Sequence, residues 1–154
     1  MEYLTLKWIH VVSSTVLFGT GIGLAFFFFA AHRMRDLPAI RFATQMVVRG
    51  DTFFTLPAGL VQIASGLALV WLLDLQLAEP WLMGALCLFA FAGACWLPVV
   101  WLQIKMRDLA AAAQDVEDLP PHYWRMDRAW IVLGGLAFPA LLGVFYLMIF
   151  RPGF

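Results

Sequence analysis

Charge is what this chain has least of, and it is missing in long blocks. Asp, Glu, Lys and Arg make up 13% of the 154 residues and cancel to a net charge of +0. That balance removes the general electrostatic attraction that brings proteins to nucleic acid. Cysteine is nearly absent too. Cys87 and Cys95 are the two present; about two turns apart on one helix, roughly 12 Å, they are beyond disulfide reach and read as small apolar packers. The three histidines, His10, His32 and His122, are dispersed, and no His or Cys group has zinc spacing. Gly19, Gly21 and Gly23 fall inside an apolar run and so make no phosphate loop. Nothing points to nucleophilic hydrolysis.

What is abundant is apolar surface. With 63% hydrophobic residues, 14 Phe and 7 Trp, and a mean hydropathy of +0.84, a chain this short cannot hide its side chains in one water-soluble core. The uncharged runs, the first from Val11 to Ala31 and the last from Ala129 to Phe150, each match the ~20 apolar residues that cross a bilayer core. In hydrocarbon every backbone group must be satisfied within its own segment, which makes these runs helices. The expectation is an all-α, antiparallel up-down four-helix membrane bundle forming a single domain. Its helices are placed at about residues 4–31, 52–73, 81–104 and 129–150, and the intervening segments 32–51 and 105–128 are read as loops.

Those two segments carry Arg33, Arg35, Arg41 and Arg49, then Lys105, Arg107, Arg125 and Arg128, whereas Asp74 to Pro80 has no basic residue. Positive charge stays cytoplasmic, so the expectation is a bacterial inner-membrane protein with cytoplasmic loops and both termini periplasmic. The first run is too long for a cleaved signal, no Ala-x-Ala-type site follows it, and only Lys7 supplies charge ahead of it.

A local echo suggests two repeated helical hairpins. Arg33-Met34-Arg35-Asp36-Leu37 is matched by Lys105-Met106-Arg107-Asp108-Leu109, and Arg49-Gly50-Asp51 by Arg125-Met126-Asp127. Arg and Asp gathering at any membrane helix end would produce a similar echo. Lys105 to Leu119 reads as a helical extension of the third span, stopped by Pro120-Pro121, with His122-Tyr123-Trp124 returning to the interface.

Polar residues inside the spans are the candidates for chemistry because they are costly there. His10, within a span, is a candidate metal or haem ligand or proton carrier. At helical spacing it shares a face with Ser13, Ser14, Leu17 and Gly21. Gly19 and Gly23 form a Gly-x-x-x-Gly pair suited to packing a neighbouring helix. The second span has a stripe of Asp51, Thr55, Ala58, Gln62, Ser65 and Leu69, expected to face the bundle interior. Ser14, Gln62, Trp96 and Tyr146 are the residues expected to line or shape a pocket around His10. Adding the echo offset to His10 lands beside Met83, a candidate second axial ligand since methionine can partner histidine on haem iron. His32 lies about 33 Å along the helix from His10 and cannot share its iron. The competing role for the glutamines, threonine and serines is interhelical hydrogen bonding, and for Met83 ordinary packing.

Leu6-Lys7-Trp8-Ile9-His10-Val11-Val12, followed by a Gly- and Phe-rich helix, resembles the first helix of bacterial membrane-bound protoporphyrinogen oxidases and copper-resistance D-type proteins. In the oxidases the histidine of Lys-x-x-His is a haem b ligand, which the resemblance assigns to His10. The third span here has no lysine before Lys105, whereas the oxidases use one there, which argues against that particular reaction. A fuller likeness, over nearly the whole chain, is to an uncharacterised family of bacterial integral membrane proteins. It rests on Asp51-x-x-Phe54-Thr55-x-Pro57, Gln62, Gly66, Trp96 to Ile104 and Leu147-Met148 before Arg151-Pro152.

The functional expectation is a haem b-binding membrane protein with a redox or haem-related role, His10 being the axial ligand. The alternative is a non-enzymatic scaffold or assembly subunit in which His10 and the glutamines tie helices together, with copper handling a third reading. The partners expected are the lipid bilayer and a homo-oligomer or membrane redox partner, without nucleic acid.

Overall fold

The computed structural model describes residues 1–152. It is an all-α, four-helix membrane bundle: four long apolar helices, at Glu2–Met34, Leu37–Leu72, Pro80–Ala112 and Pro121–Phe150, have the length and composition to cross a bilayer. Helix α1 spans Glu2–Met34. It stops because Arg35 turns into the left-handed region at φ 52°, and Asp36 then caps the next helix by accepting from the Ala39 N–H at 3.0 Å.

The segment 32–51, read as a loop, is mostly helix. Helix α2, Leu37–Gly50, runs through a π-helical turn, Asp51–Thr55, into α3, Leu56–Leu72. The physical reason is an amphipathic pattern that the arginines mask. Ile40, Ala43, Thr44 and Val47 are buried on one side of α2, at the spacing of a helical face. At Gly50 the side chain of Leu24 presses so close that a β-carbon would collide with it.

Helix α4 spans Pro80–Ala112 and ends earlier than the expected extension to Leu119. A short 3-10 turn, Val116–Asp118, follows, held by the N–H groups of Gln114 and Asp115 on the Asp118 carboxylate at 3.0 Å each. Helix α5, Pro121–Phe150, begins eight residues before the expected start at 129, with Pro121 in its first turn where a missing N–H costs nothing.

The helices form two hairpins, α1 with α2–α3 and α4 with α5, joined where α2 packs on α4. At this arginine-rich end the core is dense, with Phe28, Ile40, Val47, Met106 and Tyr123 almost completely enclosed. The Arg41 guanidinium fastens α2 to the end of α4, donating from Nε to the Ala110 carbonyl at 2.9 Å and from Nη2 to that of Ala113. At the opposite end the hairpins part. Helix α3 packs on α1 and makes little contact with α4 or α5; α1 meets α5 through Phe18, stacked on Phe138 at 4.9 Å and edge-on to Phe145 at 5.3 Å. Phe26, Phe27, Leu60, Ile63 and Leu67 are exposed, as side chains solvated by lipid should be. The Gly19–Gly23 pair, expected to receive a neighbouring helix, has nothing within 4 Å of where β-carbons would sit, so no helix of this chain packs there.

Candidate functional site

Gln62 and Ser65, on the polar stripe of the second span, meet α1. His10 lies between α1 and α3, and both of its ring nitrogens are engaged. Nδ1 is 2.9 Å from the Ser65 hydroxyl and Nε2 is 2.9 Å from the Gln62 amide nitrogen. Gln62 Oε1 accepts the Ser13 hydroxyl at 2.5 Å. Ser65 itself is close to the Val61 carbonyl at 2.6 Å.

One assignment of protons satisfies this set. Ser65 donates to Val61, His10 Nδ1–H donates to Ser65, the Gln62 amide donates to Nε2, and Ser13 donates to Gln62. A second assignment is equally closed. With the Gln62 amide turned over, Ser65 donates to Nδ1, Nε2–H donates to Gln62, Gln62 donates to Ser13, and Ser13 donates to the His10 carbonyl, 2.9 Å away. Either way the ring is uncharged and bridges two helices. Gly66 closes the remaining side: a β-carbon there would stand 3.1 Å from His10 Cε1. Such an atom would require the imidazole to shift by a few tenths of an ångström.

Of the residues expected around His10, Gln62 touches it, and Ser14 joins Gln62 in lining a crevice of about 20 Å³ between the hairpins. Ser14 spends its hydroxyl on the Val11 carbonyl at 2.8 Å, and the neighbouring Ser13 makes the interhelical bond instead. The other three stand elsewhere. Met83 is 47% exposed on α4, whose first turns bury Trp81, Leu82 and Ala85 instead. Tyr146 is 55% exposed and lies against Phe150 at 4.7 Å. Trp96 belongs to a different polar cluster.

That second cluster gathers Asp51, Thr55 and Trp96, singled out from the sequence, together with Gln103. Asp51, in the π-helical turn, lies beside Thr55, Gln103 and Trp96. Asp51 Oδ2, Thr55 Oγ1, Trp96 Nε1 and Gln103 Oε1 are all buried without a hydrogen-bond partner. A π turn widens the helix locally and is frequent at functional positions; here it turns both Asp51 and Thr55 inward.

A third cluster was not foreseen. His32 is buried at 4% exposure. Its Nδ1 donates to the Phe28 carbonyl and its Nε2 accepts from the Tyr123 hydroxyl, both at 2.8 Å. His122 is exposed, and the residue after it, Tyr123, makes the bond. The aromatic run at the start of α5 was the available signal. The three histidines stay apart, and among the described residues no group of three or more His, Cys, Asp and Glu is placed to hold a metal ion.

The haem expectation meets this geometry poorly. Nε2 of His10 is covered by Gln62, Met83 is on an exposed surface, and the adjoining crevice is far smaller than a porphyrin. As arranged, these residues do not fit the group.

Residues 4–152 match the model of a family described as predicted integral membrane protein (DUF2269). No curated protein and no solved structure matches the chain. The family description carries no activity, and the likeness of Leu6–Val12 to the oxidases and copper-resistance D-type proteins gains no support from it.

Proposed function

The chain belongs to the DUF2269 family of predicted integral membrane proteins, and on that footing we propose that it is a non-enzymatic scaffold or assembly subunit of the bacterial inner membrane. The observation that carries the reading is that every hydrogen-bonding atom of the His10 ring is spent on α3. Interhelical bonds of this kind contribute about 0.6–2 kcal/mol each in lipid. A second tie, His32 to Tyr123, joins α1 to α5 at the other end, and the Arg41 bonds join α2 to α4. His10, Ser13, Gln62 and Ser65 at one end, and His32, Tyr123 and Arg41 at the other, thus spend their polar atoms on fixing helices, while the Asp51 cluster does not. The Gly19–Gly23 surface of α1, with no helix of its own chain against it, offers a small-residue face to a helix of another subunit. The arginine-rich end is cytoplasmic and both termini are periplasmic, on the strength of the charge asymmetry.

Haem b ligation by His10 is the second reading, favoured by one observation. In the proton assignment where Nδ1–H donates to Ser65, Nε2 carries the lone pair a metal would need, with the Gln62 amide bonded to it. Protein purified in detergent from cells supplied with haem precursor separates the two. The scaffold reading expects a colourless protein whose His10→Ala variant unfolds more easily. A Soret band that disappears in His10→Ala, with helix content unchanged, would favour haem.

A further inference from the structure

We propose that the arginine-rich ends of α1 and α5 form a binding site for the zwitterionic phosphoethanolamine headgroup of a membrane phospholipid, with Asp127 taking the ammonium and Arg33 and Arg35 the phosphate. A cavity of about 130 Å³ lies between Arg33, Arg35, Trp124 and Asp127, with Phe29 and Ile131 as its apolar side. Its depth suits a headgroup. The uncharged run of α1 ends at Ala31, and the charged start of α5 ends at Arg128, so the cavity straddles the boundary between hydrocarbon and headgroups. Phe29 and Ile131 are 44% and 37% exposed on the hydrocarbon side, where acyl chains would lie.

The arrangement of charge selects the headgroup. Asp127 Oδ1 is buried and has no hydrogen-bond partner, a costly state that a cationic donor relieves. His32, on the cavity wall, cannot serve, because both of its nitrogens are closed by Phe28 and Tyr123. The charge of Arg128 acts on Asp127, but no arginine among the described residues is in contact with its carboxylate. Among the described residues the only ion pair is Arg107 with Asp108. Arg35 instead stands over the Trp124 ring at 4.7 Å, and Arg33 over Phe29 at 5.9 Å. Both guanidinium groups stand over aromatic rings and take part in no ion pair among the described residues, which leaves N–H groups for a phosphate. Arg35 reaches that position from a left-handed backbone at φ 52°, uncommon for a residue with a β-carbon. An unpaired carboxylate inside and two cations at the rim mirror an ammonium joined to a phosphodiester. A glycerol headgroup brings no cation to Asp127, and a choline brings one without an N–H to donate.

The test uses the full-length protein in detergent, weighed intact by non-denaturing mass spectrometry after equilibration with lipid mixtures. Phosphatidylethanolamine should be retained over phosphatidylglycerol and over phosphatidylcholine by about tenfold, the scale of one charge-assisted hydrogen bond. Asp127→Asn should level that preference, and the double variant Arg33→Ala with Arg35→Ala should weaken retention of every phospholipid. Inorganic phosphate at millimolar concentration should displace none of them. Equal retention of the three lipids by the wild-type protein would overturn the proposal whether or not any variant folds. So would an unchanged preference in Asp127→Asn, or displacement by phosphate, which would mark a free-anion site.

Discussion

Gln62 bonds Nε2 of His10 across 2.9 Å with one end of its amide and the Ser13 hydroxyl at 2.5 Å with the other, so one side chain on α3 grips α1 at two points a turn apart. Truncating it removes both bonds and leaves Nε2 without a partner. Gln62→Ala should therefore lower stability by about 1–3 kcal/mol. The midpoint of unfolding in mixed detergent, followed by circular dichroism, measures this, and an unmoved midpoint would mean that the bonds hold nothing.

Glycines provide an internal control. A β-carbon at Gly66 would sit 3.1 Å from His10 Cε1, while one at Gly134 would meet nothing within 4 Å. Gly134→Ala should be neutral or stabilising by up to about 1 kcal/mol, from helix propensity alone. In Gly66→Ala that gain is offset by the displacement of the imidazole, and Gly66→Leu should part α1 from α3. Comparing the three unfolding midpoints checks the packing at His10 independently of its hydrogen bonds.

At the arginine-rich end, Tyr123→Phe removes the hydroxyl that His32 accepts at 2.8 Å and strands a buried ring nitrogen. A loss of about 1–3 kcal/mol is expected. Replacing both partners, His32→Phe with Tyr123→Phe, should restore much of it, because no unsatisfied atom remains. The same unfolding assay on the pair gives the answer, and equal losses in both proteins would count against a hydrogen-bonded tie.

The spans were legible because the bilayer imposes a length and an absence of charge that a sequence displays directly. So was the pairing of His10 with Gln62, since each lies on a polar stripe of helical period. Helix α2 was not, because Arg41 and Arg49 made an amphipathic helix look like a charged loop. Met83 was placed from a repeat offset, which sets depth along α4 but not rotation about it, and the residue is exposed. Ser13 and Ser14 differ by one step around α1, too fine a distinction for periodicity to resolve. The meeting of His32 with Tyr123 joins residues 91 apart in the chain, and only the packing of α1 against α5 brings it about.

The His10 imidazole binds helix to helix. A double-mutant cycle of His10→Ala and Gln62→Ala, with unfolding free energies of all four proteins in the same detergent, measures that bond directly. A favourable coupling of about 0.6–2 kcal/mol between the two side chains is expected. Additive losses, with no coupling, would contradict it.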